Sequence, residues 1–249
     1  MPSTTVRIPT QDGQADAFAA YPDDGERHPG VLLYADAFGL RPELHDKARQ
    51  LADHGYYVLV PNIFYRHGQA PVVELPPYIG EAERAGLFDQ IMPVAQAHTA
   101  ERVTRDADAY LGFLTAQPEV GAGPLGAIGY CMGASLALRT AAAHPDRVAA
   151  VAGFHPGLLV TDEADSPHRL LGGLTAEVHF GLAEGDLTPE ALADLTRALD
   201  ATGVDHAIET YPGTVHGFTM SDTSAFHPAG LQLHWDRLLP LLHRTLQAG

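Results

Sequence analysis

Short apolar runs separated by longer amphipathic stretches constrain this chain more than any other feature. The runs fall at residues 4–8, 15–21, 30–35, 56–60, 125–129, 147–154, 176–182 and 206–211. Several, such as "GVLLYA", "YYVLV" and "LGAIG", are apolar or small at consecutive positions, as a strand buried on both faces must be. Helical periodicity occupies 42–55, 99–114, 131–144, 188–203 and 231–246. Thr188 and Pro189 open one of these helices, with a capping hydroxyl followed by a residue whose φ is already helical. Repeated strand-then-helix order is satisfied by a mostly parallel, doubly wound α/β sheet flanked by helices. The first two strands have too short a connection for a crossover and are expected to form an antiparallel hairpin at one edge.

Residues 64–98 break this rhythm, with four prolines and no strong period. Such a stretch is a lid, a pocket wall or surface decoration. No repeat or interdomain linker appears elsewhere, so residues 1–249 are expected to form a single domain.

Charge and composition narrow the function. The net charge is −16, from 15 Lys and Arg against 31 Asp and Glu, and no basic cluster interrupts it. Nucleic-acid binding is therefore not expected, because phosphate contacts need clustered cations. The single cysteine cannot form an intramolecular disulfide. The N-terminal stretch lacks a basic and apolar leader, and no run reaches the ~18 apolar residues of a membrane span. The expectation is a cytoplasmic protein, monomer or homodimer, with no membrane partner. Fourteen histidines invite a metal site, yet no H-x-x-x-H pair or Cys/His cluster occurs, so neither metal nor cofactor is expected. "GAGPLG" at 121–126 matches a dinucleotide fingerprint in letters, but it precedes its strand and contains Pro124.

The lone cysteine stands in "GYCMG", where Gly129, Cys131 and Gly133 reproduce G-x-S-x-G with Cys in place of Ser. This pentapeptide joins a strand to a helix, the context a nucleophile elbow requires. The helix N-terminus favours a thiolate, and the Met132 N–H can face a developing oxyanion. A buried structural cysteine is the competing reading. A thiol nucleophile needs a histidine base and an orienting carboxylate, which in this architecture follow in the order nucleophile, acid, histidine. Asp186 lies just past one strand, 55 residues after Cys131, and His216 lies in the next such loop, 30 residues on. Glu184 is the alternative acid.

Taken together, "GVLLYADAFGL", "GYCMGAS", "AEGD" and "YPGTVHGF" resemble the dienelactone hydrolase family of the α/β-hydrolase fold. The resemblance implies a Cys131–His216–Asp186 triad acting on a small-molecule ester or lactone. It also implies that Asp36 contacts the resting thiol and that the Ala37 N–H completes the oxyanion hole with Met132. One departure concerns the substrate. Family members that hold a substrate carboxylate carry an arginine shortly after the histidine motif, where this chain has Met220, and neither Arg66 nor Arg84 can be matched to the upstream partner. Neutral esters and lactones are therefore expected to be hydrolysed at least as well as carboxylate-bearing ones, while the substrate-binding residues stay unassigned. Two other readings compete: a non-catalytic small-molecule-binding relative, and a thiol redox sensor. The sensor lacks a second cysteine to resolve a sulfenic acid.

Overall fold

The structure is a computed structural model describing residues 2–247. All eight expected strands are present, and most of their pairings are parallel. Contacts gather the chain into two compact units, one running to Gly123 and including Asp222–Ser224, the other covering Pro124–Ser221 and the chain from Ala225 on.

In the first unit, β1 (Ser3–Thr10) and β2 (Gly13–Ala20) form the expected antiparallel hairpin, with Thr10 opposite Gly13. β3 (Gly30–Tyr34) and β4 (Tyr57–Pro61) are parallel, and the order is β1-β2-β4-β3. Both β3 and β4 are buried at every position, which explains why their sequences do not alternate. Helix α1 (Pro42–Asp53) packs against β2 and β4 and buries Leu44, Ala48, Leu51 and Ala52, one stripe at helical spacing. Helix α2 spans Glu81–Gln96, inside the stretch without a period. It buries Leu87 and Ile91 and contains Pro93, so it has neither the apolar stripe nor the composition by which a helix is recognised in sequence. Helix α3 (Ala100–Thr115) starts with Thr99 accepting from the Arg102 amide and buries Val103, Ala107, Tyr110, Leu111 and Leu114 against β1 and β3.

The second unit is wholly parallel, in the order β5 (Leu125–Tyr130), β6 (Val148–Phe154), β7 (Glu177–Leu182), β8 (His206–Thr210). Helix α4 (Met132–Ala143) packs on β5 and β6. A Cβ on Gly153 would fall 2.6 Å from the Ala134 Cβ, so glycine sets how closely α4 approaches β6. Helix α5 (Pro189–Asp200) begins at the capping Thr188, and α6 (Pro228–Leu246) packs on β5, β6 and β7. Leu238, Leu241 and Leu242 of α6 are fully buried, each contributing roughly 1.5–3 kcal/mol of transfer free energy. Parallel strands place their C-terminal ends on one edge, so the loops after β5, β7 and β8 converge there. Among the described residues, no helix is long and apolar enough to cross a membrane.

Candidate active site

Cys131 occupies the junction between β5 and α4 with φ 52° and ψ −122°, a conformation that L-residues adopt only at a cost. Close packing enforces it. A Cβ on Gly129 would fall 2.0 Å from the Gly133 carbonyl oxygen, so only glycine allows the strand to turn this sharply into the helix. The Cys131 N–H donates to the Phe154 carbonyl at 3.1 Å, and the Cys131 carbonyl accepts from Ala134 at 3.1 Å and Gly157 at 2.9 Å. The turn is thus tied to both its own helix and the loop after β6. Cys131 is half-buried at the head of α4, and Met132 is the first helical residue.

Asp186 follows β7 in the "LAEGD" turn. Its Oδ2 accepts from the Ala183 amide at 2.6 Å, and its Oδ1 lies 2.7 Å from His216 Nδ1. His216 follows β8, and its Nε2 lies 3.0 Å from Cys131 Sγ. The histidine loop has its own anchor: Glu184 Oε1 accepts from the Gly213 amide at 2.8 Å, and the Glu184 N–H donates to Thr214. Glu184, the alternative acid in the sequence, therefore holds the loop's backbone, and Asp186 faces the imidazole. Burial opposes a positive charge on His216, but hydrogen bonds to Asp186 and Cys131, together with the charges of both partners, push its pKa up to about 10. The arrangement brings a sulfur, a base and a carboxylate into one hydrogen-bonded line, with a helix N-terminus beneath the sulfur.

Gly157 is a site residue that sequence reasoning missed. A Cβ there would sit 3.8 Å from Cys131 Sγ and 3.6 Å from the Met132 nitrogen, over both groups. Its place after "FHP" in an irregular loop carried no signal of its proximity to the thiol.

Asp36 and Ala37 lie in the turn after β3, in the first unit, and both are buried. Asp36 Oδ1 accepts from the Phe38 amide at 3.0 Å, closing the turn on itself. Arg41 meets the same carboxylate with both terminal nitrogens, at 2.6 and 3.0 Å. The remaining donors of Arg41 are also engaged: Nε with Asp222 Oδ2 at 2.6 Å, Nη2 with Asp222 Oδ1 at 3.2 Å, and Nη1 with the Gly39 carbonyl at 3.2 Å. Burial works against the guanidinium charge, and the two carboxylates outweigh it. Sequence reasoning passed over Arg41, whose partner Asp222 lies 181 residues away along the chain. Arg66 is engaged bidentately by Asp106 and also meets Asp12, while the Arg84 guanidinium lies 5.6 Å from the Phe88 ring centre. Met220 is 1% exposed. From residues 64–98, Pro71, Leu75, Pro76 and Pro77 help wall a cavity of about 450 Å3 that Arg41 and Asp222 also line. Among the described residues, no three His, Cys, Asp or Glu side chains gather to hold a metal ion.

A model of the dienelactone hydrolase family matches residues 15–246. The chain belongs to that family. A carboxymethylenebutenolidase from Rhodococcus opacus is 25% identical over 233 residues, covering 88% of this chain and 82% of that protein. Among solved structures, a chain designated m3DLH superimposes with a TM-score of 0.81 at 23% identity, covering 98% of each chain. A dienelactone hydrolase-like promiscuous phosphotriesterase from metagenomic libraries gives a TM-score of 0.76 at 23% identity, covering 99% of this chain and 100% of its own. These structures share the α/β-hydrolase fold. As a dienelactone hydrolase family member, the protein is a hydrolase of the ester and lactone class.

Proposed function

We propose that this dienelactone hydrolase family member cleaves neutral esters and lactones through a thioester on Cys131, with His216 as base and Asp186 orienting it. The observation that carries the reading is the line from Sγ to Nε2 at 3.0 Å and from Nδ1 to Asp186 at 2.7 Å, set on the strained turn at the head of α4.

In the first step the thiolate attacks the carbonyl carbon, forming a C–S bond and placing negative charge on the carbonyl oxygen. The amide of Met132, at the head of α4, is the proposed donor to that oxygen, and losing one such donor costs about 100-fold or more in rate. Collapse breaks the C–O bond, and the departing alkoxide takes the proton from the His216 imidazolium. Water then attacks the thioester while His216 accepts its proton. The second collapse releases the acid and returns the thiolate. Asp186 orients the imidazole and stabilises the imidazolium. A thiolate is a better leaving group than an alkoxide, so substrates with good leaving groups, enol esters and lactones above all, suit it best. The name of the Rhodococcus opacus relative supports a lactone substrate.

A neutral substrate is supported by the state of Arg41. A guanidinium whose five N–H groups already meet Asp36, Asp222 and the Gly39 carbonyl has none left for a substrate carboxylate. The test is a turnover screen over lactones and activated esters with intact mass spectrometry. Acid release with an acyl adduct on Cys131 is expected. Stoichiometric lactone binding without acid release would instead identify a non-catalytic binder.

A further inference from the structure

We propose that His155 is a positioning residue for His216, holding its imidazole in line with Asp186 during the stage when the sulfur no longer shares a hydrogen bond with it. The inference rests on the acyl transfer proposed above.

His155 directly follows β6 and is fully buried. Its backbone sits at φ 37°, in the left-handed region, and its N–H donates to the Gly181 carbonyl at 2.7 Å. A non-glycine residue held there needs its surroundings to determine the conformation. The imidazole is placed by three rings and one hydroxyl. It meets His216 edge to face, with centroids 5.3 Å apart and planes at 72°. It meets Phe218 at 5.3 Å and 80°, and stacks on Tyr130, the residue before Cys131, at 5.9 Å. Its Nε2 shares a hydrogen bond with Thr219 Oγ1 at 2.8 Å. One side chain therefore touches the residue before the sulfur, the base, and the loop that carries the base.

Hydrogen bonds at its two nitrogens fix His216 along the line joining them, but they leave the ring free to tilt about that line. Once the sulfur is acylated, the Nε2 partner is lost and the Asp186 bond alone remains. A packed ring edge does not depend on the sulfur's protonation or acylation, so the His155 contact persists through both stages. Phenylalanine could fill the same space, but it could not bond Thr219. That hydrogen bond fixes the rotation of the His155 ring and ties it to the histidine loop.

The test uses Thr219→Val and His155→Phe, which preserve volume, beside the wild type. In pre-steady-state turnover of a p-nitrophenyl ester, the burst should stay within a few-fold of wild type while the steady-state rate falls about tenfold, because misplacing the base matters most when it must activate water alone. A parallel loss in both phases, or no change in either, overturns the proposal. A second readout needs no turnover. After Cys131 is capped with iodoacetamide, the His216 ring resonances should stay single and sharp in the wild type and broaden or double in both variants. Sharp, unshifted His216 signals in the capped variants overturn the positioning role. Absence of an acyl adduct in the wild type would overturn the proposed reaction, and the capped-ring readout would still decide on His155.

Discussion

Arg41 and Asp36 form a buried fork, with Nη1 2.6 Å from Oδ1 and Nη2 3.0 Å from Oδ2. Asp222 closes the opposite side of the guanidinium, leaving two carboxylates around one cation. The cluster carries a net negative charge and no free donor. The methyl ester of a test lactone should therefore show a higher kcat/KM than its free carboxylate. A tenfold preference for the carboxylate would refute this account of Arg41.

Arg41→Met should be strongly destabilising, because it leaves the buried Asp36 and the partly buried Asp222 without their cation. Breaking a buried pair from one side costs about 3–5 kcal/mol. Urea denaturation would show this as a lower midpoint at an unchanged slope. A midpoint equal to wild type would mean the carboxylates find water or another partner.

Asp186→Asn keeps the shape of the side chain and removes the charge that faces His216 Nδ1. The amide can also select the wrong imidazole tautomer. A fall in kcat of about 1,000- to 10,000-fold is expected with little change in substrate binding. Single-turnover rates measure it, and an undiminished kcat would move the orienting acid elsewhere.

Cys131→Ala removes one of the hydrogen bonds and one of the charges that raise the His216 pKa. The His216 midpoint, followed by NMR, should fall below its wild-type value of about 10. The sign for stability follows. A histidine raised above its unfolded value contributes stability that is complete below about pH 6.5 and is lost as pH rises through the folded midpoint. The stability of wild type relative to Cys131→Ala should thus decline as pH rises from the variant's lower His216 midpoint to about 10. An identical midpoint in both proteins would show that Asp186 alone sets it.

Gly129→Ala is the test of the turn itself. The added methyl would overlap the Gly133 carbonyl, with 2.0 Å to its oxygen and 2.2 Å to its carbon, and backbone cannot move aside as a side-chain tip would. A loss of at least the ~1–3 kcal/mol typical of overpacking is expected, together with loss of Cys131 alkylation at neutral pH. Normal stability with normal alkylation would mean the turn relaxes without strain.

The strands and four of the five expected helices begin within a few residues of their positions in the sequence, because consecutive apolar residues and capping signals are local properties. The fifth, expected at 231–246, starts earlier, at Pro228, where the His227 ring accepts from the Gly230 amide. Helix α2 was not legible: its buried residues are sparse and its contacts are made by the fold, so no period marks it. The positions of Cys131, Asp186 and His216 at strand ends could be counted along the chain. The partners of Arg41 could not, since Asp222 lies 181 residues away.

The sequence by itself determined the order of the strands and of every helix but α2, the glycine-flanked turn around Cys131, and the loops that carry Asp186 and His216. Each depends on backbone conformations and burial patterns written within a few neighbouring residues. Only the tertiary structure decided that Arg41 is saturated by two carboxylates, that Gly157 lies over the thiol, and that the His155 ring packs against His216. Those relationships join segments distant along the chain, and their strength comes from burial, which excludes water and makes each unpaired charge or displaced ring costly.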